Sequence, residues 1–458
     1  TPDWVWDAAI YQVFIDRFYP GDGKKFLKPQ SPRGLYGGTL RGVIDKLDYL
    51  SDLGVNCIWL SPLFLSPSYH GYDIVDYLRV RPHLGTNQDL RDLVRLAHEG
   101  GIRVLLDFVP NHTSHRHPYF LQARANRASP YHSWFTFREW PDDYATFFTA
   151  RNLPQINLEN REARQFMLDS ARYWLETAGI DGYRLDYADG PSHNFWVDFR
   201  RTVRTAAPEC FTVGELVEAA DFVRSYEGRL DGALDFLFLD AARRFFAFDK
   251  LDAARFEAFL SRHEAFFAPD FVRATFLDNH DMNRFLYLTG NDKARARLAA
   301  ACQFTLPQPP VLYYGTEVGM SQMRDKRDRS GYGDAEARRP MPWDGRQDSD
   351  MFAYYKRLFR MRREHSPLRR GRRLPLYADS SGVLAYSLAE AGATVVVAVN
   401  NSSETRTATI PLTAGAPRRA GMLRGLLDKS RADVRDGAVR LRLAARSARV
   451  LGGTGSEP

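Results

Sequence analysis

Short apolar runs alternate with amphipathic helical stretches from residue 8 to residue 365, and this rhythm constrains the fold more than any other feature. The runs are AAIYQVFIDRF (8–18), VNCIWLSP (55–62), IRVLLDFVPNH (102–112), IDGYRLDYA (180–188), CFTVGEL (210–216), GALDFLF (232–238), RATFLDNHD (273–281) and PVLYYGTEVG (310–319). Between many of them lie helical faces with start and stop signals. Val43, Leu47, Leu50 and Leu53 precede Gly54. Thr86 is placed to cap a face of Leu90, Leu93, Val94 and Ala97 that ends at Gly100 and Gly101. Asn160 opens a helix that aligns Phe166, Ser170, Tyr173 and Trp174 and stops at Gly179. Further helices are expected over 194–207, 293–306 and 351–365, whereas runs five to seven follow one another without a clear helix between them.

Strands with nearly continuous apolar character are covered on both faces. Eight of them, mostly separated by helices, predict an α/β chain folded as a TIM (β/α)8 barrel. A doubly wound sheet would use fewer strands and a glycine-rich first turn, which this sequence lacks. The rhythm stops over 112–157, which is aromatic and polar without a clean period and reads as a small inserted domain after strand 3. From about residue 374 the pattern becomes antiparallel β, with GVLAYSL, ATVVVAVNN, TRTATIPL and AVRLRLAARSARVL as strands. The expected domains are therefore 1–111 and 158–373 for the barrel, 112–157 for the insert and 374–458 for a C-terminal β-sandwich. RRGRR (369–373) is expected to be a solvated linker.

A net charge of +7 is spread along the chain, and 54 of the 63 basic residues are arginine. No concentrated basic face or nucleic-acid reading module accompanies it, so nucleic acid is not an expected partner. No run of 18 apolar residues exists, and no membrane partner is expected. Cys57, Cys210 and Cys302 are odd in number, far apart and set in apolar company, which predicts buried free thiols. The chain begins at Thr1 rather than methionine, which leaves a secreted or periplasmic location and a cytoplasmic one equally open. Oligomeric state is not legible.

In a TIM barrel, chemistry sits at the C-terminal ends of the strands. Strand 3 ends with Asp107, Asn111 and His112, strand 4 with Arg184 and Asp186, strand 5 with Glu215, and strand 7 with His280 and Asp281. Arg184 and Asp186 are two positions apart and share one face of their strand. A buried arginine and carboxylate are expensive in a core and useful in an active site. One acid at a strand end is commonly a cap or an ion-pair partner, but four such ends converge on one mouth.

This constellation resembles the alpha-amylase superfamily of retaining glycoside hydrolases, over essentially the whole chain. DFVPNH, GYRLD, VGE and FLDNHD match its motifs at strands 3, 4, 5 and 7, and YHGYD, LPQINL, YYGTEVGM and RRPMPWD support the match. The resemblance implies Asp186 as nucleophile, Glu215 as general acid/base and Asp281 as a third carboxylate gripping sugar hydroxyls. It also implies that Arg184 pairs with Asp186, that His112 and His280 bond the sugar, that Tyr72 stacks under it, and that Asp107 supports the site from beneath. Retention needs one ionised and one protonated carboxyl, roughly 5 to 5.5 Å apart. Arg184 is expected to hold Asp186 ionised. Tyr69, Trp134, Phe135, Trp140, Phe147 and Phe148 are further aromatic candidates for sugar faces, with plain packing at least as good a reading for each.

Many alpha-amylases carry Lys-His three and four residues after the nucleophile, and that histidine's carbonyl helps bind calcium. Here those positions are Asp189 and Gly190, so Asn111 lacks its usual partner for a calcium site. The RFYPGDGKK loop and Thr39 dilute the oxygen-rich cage near strand 1 of neopullulanase-like relatives. No cofactor is expected to be required, and no metal ligand is assigned. The substrate implied is an alpha-glucan, cut by an endo-acting alpha-1,4 hydrolase with some transglycosylation. A cyclomaltodextrinase or neopullulanase-like hydrolase is the second reading and a 4-alpha-glucanotransferase the third. A non-catalytic glycan-binding or scaffold role is disfavoured because all three carboxylates are present.

Overall fold

Eight parallel strands form the barrel: β1 (Ile10–Val13), β2 (Cys57–Leu60), β3 (Arg103–Phe108), β4 (Gly182–Leu185), β5 (Phe211–Gly214), β6 (Gly232–Leu234), β7 (Val272–Ala274) and β8 (Val311–Tyr313). Their order around the sheet is β8–β1–β2–β3–β4–β5–β6–β7. Just past β7 the Thr275 amide donates to Pro309 O at 3.0 Å and the Val311 amide to Thr275 O at 2.7 Å, which closes the ring. This computed structural model describes residues 1–328, 332–412 and 421–453. Residues 329–331 of the last charged loop, and 413–420 and 454–458 of the expected C-terminal domain, lie outside the described residues.

Inward-facing Ile10, Trp59, Leu105, Val213, Leu234 and Val272 fill the barrel, while the outward faces pack under helices. Cys57 lies in the barrel interior, and all three cysteines are buried and free. Register decides what meets at the mouth. Asp107 of β3 lies opposite Arg184 of β4, and Arg184 opposite Val213 of β5. Gly182 permits this close approach, because a Cβ there would sit 2.1 Å from Phe211 O.

The helix signals act locally. Thr86 and Asp89 form a reciprocal capping box at Asn87–Glu99, Asn160 caps Arg161–Ala178, and Gly179 ends that helix with φ +67°. Several expectations for the barrel change. The first apolar run stops being a strand at Val13 and turns into a short helix, Ile15–Phe18, because the Asp16 carboxylate anchors the amides of Tyr36 and Gly37. A run buried on both sides carries no period that would reveal the switch. The helix before Gly54 is broken into Leu40–Ile44 and Leu47–Leu53. A full helix, Ala253–Phe266, separates β6 from β7, where none was expected.

The stretch 112–157 carries a helix (Pro118–Ala125) and a two-stranded ribbon (Phe137–Glu139 with Asp143–Tyr144). Phe120, Phe135 and Tyr144 pack together, and Tyr119 stacks on Tyr131 at 4.0 Å. Its end returns to the barrel, where the Ile156 amide donates to Asn111 O at 2.9 Å.

The C-terminal strands are β9 (Arg372–Ala378), β10 (Val383–Glu390), β11 (Ala393–Asn400), β12 (Arg406–Pro411), β13 (Gly421–Gly425), β14 (Arg431–Arg435), β15 (Ala438–Leu443) and β16 (Ser447–Gly453). They form an antiparallel series, β9–β10–β11–β16–β13–β14–β15–β12, whose ends approach each other around Val383, Val396, Ile410 and Leu441. The single strand expected over 438–451 is split by a turn in which Arg446 takes φ +49°.

The arginine run at 369–373 is not a solvated linker. Arg370 pairs with Asp3 and Asp7, each at 2.7 Å. The Arg373 side chain is buried and forks onto Glu257 at 2.8 Å, with Glu264 at 2.7 Å. These pairs fasten the C-terminal domain to the barrel. The sequence shows only the cations, because their acidic partners lie more than 100 positions away.

Candidate active site

The carboxyl groups named from the strand ends gather at one mouth around Arg184. Its side chain is fully buried, and its Nη1 donates to Asp107 Oδ1 at 2.7 Å and to Asp186 Oδ1 at 2.9 Å. Its Nη2 lies 2.8 Å from Glu215 Oε2, an ion pair without hydrogen-bond alignment. The guanidinium sits 5.2 Å from the centre of the Trp59 ring, which also donates through Nε1 to Asp107 Oδ2 at 3.1 Å. Glu215 Oε2 accepts from the Tyr187 amide at 3.1 Å.

Asp281 stands apart from this trio with partners of its own. Arg338 Nη2 lies 2.7 Å from its Oδ1, His280 Nε2 lies 3.0 Å from its Oδ2, and Lys326 Nζ donates to its backbone oxygen. The His280 ring is parallel to that of Tyr72, centroids 5.5 Å apart, and meets Gln12 Nε2 through Nδ1 at 2.7 Å. The Tyr72 hydroxyl also donates to Asp107 Oδ2 at 3.1 Å.

Charge divides accordingly. Burial pushes the Asp281 carboxyl up, but His280, Arg338 and Lys326 outweigh it and hold the group well below the usual carboxylate range. Asp186 moves the other way. Burial raises it, Arg184 opposes, and Glu215, Asp107 and Asp281 add to the rise. One guanidinium is shared among three carboxyls, so the pull of Arg184 on Asp186 is opposed by burial and by the neighbouring acids. His112 is buried and pushed down to about 3, hence neutral, with Nδ1 near Asn111 Nδ2 and, among the described residues, no partner on Nε2.

These groups border a cleft of about 570 Å³ that Tyr72, His112, Asp186, Glu215 and Asp281 share with Phe147, Phe148 and Tyr187. A larger cavity, about 860 Å³, lies at the other end of the barrel between the strand starts and β9. Its Arg370 and Arg373 are already paired, and none of the strand-end carboxyls reaches it. Among the aromatic candidates, Tyr69 is buried with its hydroxyl between Asp334 and Arg338, Trp134 and Phe135 are buried, and Trp140 donates to Ala123 O. Sequence reading missed Gln12, Trp59, Lys326 and Tyr187. Arg338 opens the RRPMPWD motif, which was the available signal for it.

The calcium position can be tested on its own atoms. Asn111 Oδ1 already accepts from Gln155 Nε2 at 3.1 Å, and a Cβ at Gly190 would lie 2.1 Å from it. Glu159 is the one acid bordering the small cavity there, and it is engaged by Ser192 at 2.6 Å and Arg164 at 3.1 Å. This donor set does not fit a hard divalent cation, which takes six to eight oxygens.

Comparison with known proteins bears on the same residues. The family described as Alpha amylase, catalytic domain, matches residues 12–353, a span that holds all the strand-end carboxyls and the cations paired with them. The chain is 41% identical over 380 residues to Alpha-amylase 2 of Dictyoglomus thermophilum, covering 83% of this chain and 67% of that one. It is 36% identical over 423 residues to a cyclomaltodextrinase of Thermoanaerobacter pseudethanolicus, covering 88% and 72%. A solved cyclomaltodextrinase structure superposes with a TM-score of 0.89 at 32% identity, over 98% of this chain and 79% of that one. A barrel mouth with carboxyls at strands 3, 4, 5 and 7 and a family match spanning all of them lead to one assignment: the chain belongs to the alpha-amylase family and is a glycoside hydrolase acting on alpha-glucans.

Proposed function

We propose that the protein is a retaining, endo-acting hydrolase of alpha-1,4-glucosidic bonds in starch and maltooligosaccharides. The observation that carries this reading is the single guanidinium of Arg184 in contact with both Asp186 and Glu215. Grouping two carboxyls on one fork suits the retaining separation of about 5 to 5.5 Å better than the inverting one of about 6.5 to 9.5 Å. Asp186 attacks the anomeric carbon while Glu215 gives its proton to the departing glycosidic oxygen. Glu215 then takes a proton from water, whose oxygen attacks the anomeric carbon and displaces Asp186. Asp281, kept ionised by its cations, accepts hydrogen bonds from sugar hydroxyls and favours the positive charge that develops at the anomeric centre. His112 Nε2 offers a polar contact to the same sugar and Tyr72 offers its ring, while His280 positions Asp281 and Asp107 positions Arg184.

The anomer of the first product tests this reading. Proton NMR in the first minutes of maltooligosaccharide hydrolysis, before mutarotation, is expected to show the alpha anomer at the new reducing end. Initial beta anomer would remove the nucleophile role of Asp186.

A cyclomaltodextrinase-like or neopullulanase-like hydrolase is the second reading, supported by relatives of those names at 36% identity. Initial rates on soluble starch and beta-cyclodextrin separate the two. A 4-alpha-glucanotransferase would use the same ester with a sugar hydroxyl in place of water. We also propose that no calcium is needed, given the occupied Asn111 amide and the single engaged acid beside it. Activity is expected to persist after dialysis against EDTA. A large loss restored by calcium alone would mean that other oxygens hold an ion.

A further inference from the structure

Arg338 and Lys326, the two cations at Asp281, come from the charged loop between β8 and the helix Ser349–Glu364 rather than from a barrel strand. Arg338 makes two contacts there, through Nη2 with Asp281 Oδ1 at 2.7 Å and through Nε with His280 O at 2.8 Å. A long loop holds such distances only where its backbone is pinned. The hydrogen bonds put the pin at Asn283, two residues past Asp281.

The Asn283 side-chain amide is used at both ends. Its Oδ1 accepts from the Lys326 amide and from Gln322 Nε2, each at 2.7 Å, and its Nδ2 donates to Asp325 Oδ2 at 2.7 Å. Gln322 is buried, and its Oε1 accepts from the Arg284 amide at 2.7 Å. Residues 322, 325 and 326 are thereby tied to residues 283 and 284. With its backbone held there, Lys326 turns Nζ back to the Asp281 backbone oxygen.

The tie extends to Arg338. The short helix Gly333–Ala337 begins against the held segment, where a Cβ on Gly333 would collide with the Lys326 carbonyl oxygen. Glu336 Oε2 of that helix accepts from the Met323 amide at 3.2 Å, and Arg338 follows the helix's last residue. Asp334 anchors the helix separately, through Arg33 at 2.8 Å and the Tyr69 hydroxyl at 2.7 Å. Asp281 and Arg338 border the cleft, and Asn283 stands outside its lining. An effect of Asn283 on turnover therefore runs through its neighbours.

We propose that Asn283 is a positioning residue for Asp281: it clamps the 322–326 segment to the end of the β7 run, and so sets where Lys326 and Arg338 meet that carboxylate. The proposal rests on the alpha-glucan hydrolase reading above, in which Asp281 grips sugar hydroxyls. A displacement of about 1 Å in a group that positions substrate can cost roughly a hundredfold in rate. The loss expected here is smaller, because His280 and the Asp334 anchor remain.

The test is a double-mutant cycle on alpha-maltosyl fluoride, whose leaving group is good enough to keep crippled variants measurable. Asn283→Ala is expected to lower kcat/KM about tenfold in the wild-type background and less than about twofold when Asp281→Asn is already present. Asn283→Asp alone sets two carboxylates against each other, and adding Asp325→Asn exchanges donor and acceptor across the same bond. The exchanged pair is expected to recover most of the activity that Asn283→Asp loses, and it decides the matter alone if Asn283→Ala does not fold. An equal fall in both backgrounds, no fall in the wild type, or no recovery in the exchanged pair overturns the clamp. Wild-type protein that does not turn over the fluoride overturns the underlying hydrolase reading instead.

Discussion

Asp186→Asn is expected to lower turnover of maltooligosaccharides by roughly four orders of magnitude or more, because the variant has no carboxylate to form the glycosyl ester. The fold is expected to survive and, near neutral pH, to gain stability. The Asp186 carboxyl is raised in the folded protein by burial and by Glu215, Asp107 and Asp281, against the pull of Arg184. A carboxyl raised above its unfolded value of about 3.9 favours folding while it is protonated, and that contribution is lost as pH climbs toward the folded value. Asparagine does not titrate. The gain in melting temperature is therefore expected to be absent near about pH 4 and to grow toward neutrality. Thermal unfolding of both proteins across this range checks the sign. A variant that is less stable at neutral pH would mean that Arg184 dominates and that Asp186 is a net stabilising partner. Retention of more than about a tenth of wild-type turnover would exclude Asp186 as nucleophile.

Arg184→Met is expected to have the largest effect on stability, because it removes the guanidinium that contacts three carboxyls at once. Deleting one partner of a buried ion pair leaves uncompensated charge and costs about 3 to 5 kcal/mol. The variant should unfold at a clearly lower temperature, and its activity should fall because Asp186 and Glu215 lose their common anchor. Arg184→Lys keeps the charge without the fork, so it should recover part of the stability and little of the geometry. If Arg184→Met matched wild type in thermal unfolding, the trio would not carry the charge assigned to it.

The barrel and most of the candidate site were legible because the signals are local. Alternating apolar runs, the cap at Thr86 and the stop at Gly179 act within a few residues, and each run holds a barrel strand, although the first and sixth pass into helices at Ile15 and Phe236. Once eight such units close into a ring, strand ends converge, so Asp107, Asp186, Glu215 and Asp281 meet although they span 175 positions of sequence. Their spacing within strands was also enough to put Arg184 and Asp186 on one face. The switch from strand to helix at Ile15 was not legible, because a run buried on both sides has no period to betray it.

What only the tertiary structure decided is how charge is shared. The sequence pairs Arg184 with Asp186, its neighbour two positions on; register adds Asp107 from β3 and Glu215 from the end of β5, so one cation serves three acids. Asp281 receives Arg338 and Lys326 from a loop whose path no local pattern specifies. The arginines at 369–373 look solvated until distant acids dock on them. In each case the sequence supplied the groups, and the fold set the distances and burial on which electrostatic energy depends.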